Sequence, residues 1–112
     1  MAAPRYIPRD YCADPHLFGK AEVVRWVETS DAGRQLLRAA QLQHLYAVRI
    51  RDRVRETDRT LKGYASSVNC DYDRMSKILR GALPMRLDDI AAADVELGGI
   101  SELGRHAPDP SP

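Results

Sequence analysis

Only two cysteines, Cys12 and Cys70, occur in the chain, too few for a disulfide framework. Cys12 with His16 supplies two metal ligands where zinc takes four, so no structural metal is expected. No uninterrupted apolar run approaches the ~20 residues that a membrane span needs, and no membrane association is expected. The segment from Met1 to Asp14 carries Arg5, Arg9 and Asp10 among prolines and lacks an apolar h-region, so it does not read as a secretory signal and the chain reads as cytoplasmic. A glycine-rich phosphate loop is missing, as is any Ser-His-Asp order. His16, His44 and His106 are scattered, and a lone His44 within a helix reads as structural. These absences argue against an enzyme and against a bound cofactor. No stretch alternates apolar and polar residues with a period of two, and no internal repeat is visible, so strands and repeat architectures are not expected.

What is present points to one soluble, helical domain. The 112 residues are 44% hydrophobic and 29% charged, the proportions of a globular chain with room for a single core. The net charge of +1 conceals a division. From Arg49 to Arg86 there are ten basic residues against five acidic ones, whereas from Leu87 to Pro112 only Arg105 opposes six acidic residues. A local positive field attracts a polyanion even when the total charge is small. Arginines at alternate positions of a helix lie about 200° apart, so part of this charge simply solvates the helix.

Residues 1–16 contain Pro4, Pro8 and Pro15 and are expected to form an extended arm. Residues 17–48 read as a helical extension that completes the core or mediates dimerisation. Within it, Ala21, Val23, Val24 and Val27 can line a helix ending near Glu28, with Trp26 beside that face. Thr29 or Ser30 is then available to cap the next helix. From Ala32 to Thr57 no proline interrupts the chain, and Leu42, Tyr46, Ile50 and Val54 recur every fourth residue beside Leu45, which predicts one long helix or two nearly collinear ones. Residues 104–112, with three prolines, are expected to be disordered.

Residues 49–103 carry the most specific pattern. Thr60 can cap a short helix in which Leu61, Tyr64, Ala65 and Val68 share a face. Asn69 tolerates the left-handed conformation at that helix's end, and Ala65 is small enough for close crossing. Asp71 can cap a second helix that buries Met75, Ile78 and Leu79, leaves Tyr72, Asp73, Arg74 and Lys77 outward, and stops at Gly81. Leu87, Ile90, Ala91, Asp94 and Leu97 give a further helix halted by Gly98-Gly99.

With Tyr64, Ala65, Asn69, Cys70, Asp71, Met75, Ser76, Ile78 and Gly81 in one register, this half of the chain resembles the Cro and phage-repressor type of helix-turn-helix, the xenobiotic-response-element family. It departs at Tyr64, where leucine is usual, at Asn69, where glycine is, and at Leu79, where a polar residue is. The resemblance implies an all-α, compact bundle of about five helices containing a lambda-repressor-like helix-turn-helix, with the N-terminal helical extension added. It also implies a sequence-specific regulator of transcription, repressor-like, binding double-stranded DNA as a homodimer and associated with the nucleoid when bound. Residues 72–80 would lie in the major groove, with Tyr72, Asp73, Arg74 and Lys77 toward bases and Thr60, Lys62, Arg80 and Arg86 toward phosphates. Asp71 and Asp73 on the same face repel phosphates. A protein-interaction adaptor or antitoxin-like chain, meeting a protein partner through the N-terminal helices, is therefore the alternative reading.

Overall fold

The computed structural model describes residues 6–101. Within them lie four α-helices: α1 (Arg34–Glu56), α2 (Leu61–Ser67), α3 (Tyr72–Leu79) and α4 (Leu87–Ala93). Single 3-10 turns cover Pro8–Tyr11, Pro15–Leu17 and Asp31–Gly33, and a π-helical turn, Asp94–Gly98, continues α4. Among the described residues there is no strand, only an isolated antiparallel bridge between Cys12 and Trp26. The all-α class is as expected, with four helices where about five were anticipated. The tail 104–112 lies outside the described residues.

α1 is a single helix, so the expected boundary at 48/49 falls inside it and residues on both sides belong to one core. Ala40, Gln43, His44, Ala47, Ile50 and Val54 form its buried face at steps of three and four. The fourfold stripe read from Leu42 to Val54 is only half right. A spacing of four drifts about 40° per step around a helix, so Ile50 and Val54 reach the core while Leu42 stays 47% exposed. Neither Thr29 nor Ser30 caps α1 by its side chain; the helix is entered through the 3-10 turn at Asp31–Gly33, whose Ser30 cap makes no side-chain hydrogen bond. Around the buried stripe of α1 pack Tyr64 and Ala65 of α2, Met75, Ile78 and Leu79 of α3, and Ala93, Leu97 and Ile100 beyond them.

The N-terminal segment corrects two expectations. Residues 21–28 are not helical: Ala13 N–H donates to Arg25 O at 2.9 Å and Val27 N–H to Tyr11 O at 2.9 Å, around the Cys12–Trp26 bridge. The helical spacing of Ala21, Val23, Val24 and Val27 was outweighed by β-branched and aromatic residues that favour extended backbone, and Val23 is 85% exposed. Nor are residues 6–16 a free arm. Pro8 and Cys12 are buried, and Cys12, Phe18 and Ala40 make a second small core against which Tyr11, Val24 and Trp26 pack.

This strap is fastened to the end of α3. Arg9 N–H donates to Gly81 O at 3.0 Å, and a Cβ on Gly81 would sit 2.7 Å from the Phe18 ring, at a backbone φ of +78°. Gly19 is as tightly placed, since a Cβ there would lie 2.0 Å from Leu79 O. His44 accepts a hydrogen bond from Gly19 N–H through Nδ1 at 2.8 Å. Its ring meets those of Phe18 and Trp26 edge-on, each with centroids 5.4 Å away.

Candidate nucleic-acid interface

α2 and α3 are set by short-range chemistry. Thr60 Oγ1 accepts from Gly63 N–H at 3.0 Å at the start of α2, and Asp71 accepts from Arg74 N–H at 3.2 Å at the start of α3, satisfying donors that a helix leaves unpaired. Between them Asn69 takes a φ of 55°, and Cys70 N–H returns to Ala65 O at 2.8 Å. Ala65 is buried at this crossing, as expected of a small residue. Tyr64 fills the core where the resemblance has leucine, and burial pushes its phenol pKa up to about 12.

α3 buries Met75, Ile78 and Leu79 and turns Tyr72, Asp73 and Lys77 outward. Tyr72 is 46% exposed. Lys77 Nζ lies 2.9 Å from Asp73 Oδ2, one helical turn apart, so the two charges of this face partly neutralise each other. Arg74 belongs elsewhere. Its guanidinium grips the Asp89 carboxylate of α4 with two hydrogen bonds of 2.8 Å each, and NH1 lies 3.6 Å from Cys70 Sγ. The hydrogen bond to Asp89 raises the Arg74 pKa. At Asp89 burial works to raise the pKa, but the Arg74 guanidinium and the Arg86 N–H outweigh it and hold the carboxyl below its ordinary value.

The phosphate candidates are dispersed. Lys62 is exposed on α2, Arg80 is exposed just past α3, and the Thr60 hydroxyl is the cap of α2. Arg86 stands at the start of α4, donating its N–H to Asp89 Oδ2 at 2.8 Å and placing Nε 3.2 Å from Asp88. Thus Tyr72, Asp73 and Lys77 come together on one face, whereas Arg74 and Arg86 are both bound to α4 carboxylates. Comparison with protein-family models, with curated proteins and with solved structures gave no match.

Two α1 residues that support this face were not singled out from the sequence. Arg51 is half-buried with its Nε unpartnered; burial lowers its pKa, and the Tyr72 phenol is near enough to oppose that shift. Gln43 is buried and joins the end of α3 to the loop after it: Nε2 donates to Ile78 O and Leu83 O, and Oε1 accepts from Met85 N–H, all at 2.8 Å. Only residue identity marked them beforehand, since a polar side chain at a helix position gives no sign of a partner 35 or more residues away.

Away from α3, an apolar depression of about 720 Å³ opens between α1 and α4, lined by residues that include Leu42, Tyr46, Met85, Leu87 and Ile90. Among the described residues no three His, Cys, Asp or Glu side chains gather as a metal site, and no helix is long and apolar enough to cross a membrane.

Proposed function

We propose that the chain is a sequence-specific double-stranded DNA-binding regulator of transcription that reads the major groove with α3. The observation that carries this is the pair α2 and α3, each capped by its own side chain and joined through the left-handed Asn69, with Tyr72, Asp73 and Lys77 on the outward face of α3. A short helix presented this way offers a lysine for guanine, a carboxylate for cytosine N4–H and a ring for a thymine methyl. Arg74 is reassigned in this reading from base contact to positioning, because its guanidinium already makes a two-bond grip on Asp89 that orients α3 against α4. Lys62 and Arg80 supply cations toward phosphate.

A selection from random duplex DNA tests the reading, and an enriched motif is the expected outcome. Lys77→Ala should then cost about 1–3 kcal/mol of discrimination at one base pair. Lys62→Ala should instead weaken all duplexes alike and shallow the salt dependence by about 0.9 log unit per log unit of salt. Absence of any enriched motif would remove this reading. A second reading, a protein-interaction adaptor, is favoured by Asp71 and Asp73, which stand exposed at the start of α3 where phosphates would approach.

A further inference from the structure

We propose that Arg51, on α1, forms a phosphate-binding site beside the outward face of α3, one that takes a DNA backbone phosphate when α3 lies in the major groove. For the source of that phosphate the inference rests on the DNA-binding reading; for the site it rests on the side chain itself. Arg51 differs from the arginines around it. Arg49 donates to Ile100 O, Arg53 donates to Gly98 O, Arg55 pairs with Asp52, and Arg59 pairs with Glu96 at 2.8 Å. Arg51 makes no hydrogen bond or ion pair with any described residue.

Its Nε is fully covered, while the residue as a whole is half-buried and borders an open depression of about 440 Å³. A covered stem holds the guanidinium in place, so its planar fork meets an anion without first losing much rotational freedom. Partial burial without a counter-charge is unfavourable for a cation, and an anion arriving in the depression relieves it.

The position of the depression selects the kind of anion. It lies between the end of α1 and the start of α2, lined by Val54, Arg55, Asp58, Arg59 and Leu61 beside Arg51. Lys62 follows Leu61 on the exposed side of α2, and Tyr72 of the outward face of α3 is near enough to act on the charge of Arg51. A helix in the major groove is bordered by the sugar-phosphate backbone, so a phosphate is the anion met at such an edge. Arg55 and Arg59 add little charge, since Asp52 and Glu96 answer them. Asp58, the one carboxylate in the lining, makes no bond to Arg51 and stands exposed, where solvent screens its repulsion. Recognition therefore falls on the Arg51 fork, which suits phosphate through two parallel N–H bonds.

Two measurements on the full chain test this. In the first, inorganic phosphate is titrated against chloride at equal ionic strength while the guanidinium N–H resonances of Arg51 are followed by NMR, and saturable movement is expected. In the second, the duplex enriched by selection carries one uncharged methylphosphonate linkage at each backbone position in turn. At one linkage the wild type is expected to lose at least about 10-fold in affinity, the scale of a hydrogen bond between charged groups. Arg51→Gln should lose nothing more there, whereas Lys62→Ala and Arg80→Ala should remain sensitive. Arg51→Lys, which keeps the charge without the fork, should fall between wild type and Arg51→Gln. The phosphate titration uses the wild type, so a glutamine variant that fails to fold leaves the test intact. Arg51 resonances that phosphate does not move, or a bound duplex in which no linkage depends on Arg51, would overturn the proposal. A chain that answers phosphate at Arg51 yet binds no duplex keeps the site, assigns it to a free phosphate ester, and overturns the DNA-binding reading alone.

Discussion

Asp89 answers to two elements at once, taking both Arg74 guanidinium bonds from α3 and the Arg86 N–H at the start of its own helix. Replacing it with asparagine removes the charge while keeping the shape, so Asp89→Asn should cost about 2 kcal/mol of unfolding free energy, the scale of a hydrogen bond to a charged group. Denaturant titration of Asp89→Asn, Arg74→Ala and the double variant would show strong coupling; additive losses would mean that the pair does not hold α3 to α4. His44 makes a pH-dependent counterpart. Burial lowers its pKa, an effect that the backbone of Glu22 and Ala21 partly offsets. Above the unfolded value of ~6.5 both states are neutral; as pH falls below it the unfolded chain takes up a proton that the folded chain resists, so stability falls. Protonating Nδ1 would also abolish its bond from Gly19 N–H. Urea midpoints between about pH 8 and pH 5 should therefore decline, and the decline should flatten in His44→Gln. An unchanged profile in that variant would assign the effect to another group.

At the scale of elements, what was legible in the sequence was whatever depends on neighbours within a few residues. Thr60 and Asp71 act as caps, Asn69 takes positive φ, and α3 buries the three residues its spacing indicated. Asn69 gives a direct check on the turn. Asn69→Ala should lose about 1 kcal/mol, because a Cβ without a local hydrogen-bonding group is disfavoured in the left-handed region, whereas Asn69→Gly should be nearly neutral. Thermal unfolding separates the two, and equal losses would show that the asparagine side chain itself is needed. Elements whose state depends on distant partners were misread. Residues 21–28 show a helical spacing yet form extended backbone, because the N–H of Val27 and the carbonyl of Arg25 find partners at Tyr11 and Ala13. Similarly, Leu87 has the right spacing for a buried position on α4 but is 85% exposed. Periodicity shows that a face is apolar; it does not show whether anything covers it. The candidate site divides in the same way, since the outward placement of Tyr72, Asp73 and Lys77 followed from spacing, whereas the Arg74 link to Asp89 required knowing how α3 meets α4.

Across the whole molecule, the N-terminal strap and the end of α3 are one structure. Phe18 is fully buried between His44, Trp26 and Gly81, so Phe18→Ala should destabilise the chain by about 3–5 kcal/mol. It should also free the Arg9 amide to exchange with solvent, since that amide bonds to Gly81 O. Exchange at Arg9 that stays as slow as in the wild type, despite a lower melting temperature, would separate the strap from α3. The tight seat of Gly19 against Leu79 O bears on how the chain is made. The strap leaves the ribosome first, yet its docking surface does not exist until α3 has been synthesised roughly 60 residues later, an interval of about 3–12 s at ~5–20 residues per second. During that interval Phe18 and Trp26 have no finished core to enter, so the nascent chain presents these two large aromatic rings to the cell before it has anywhere to place them.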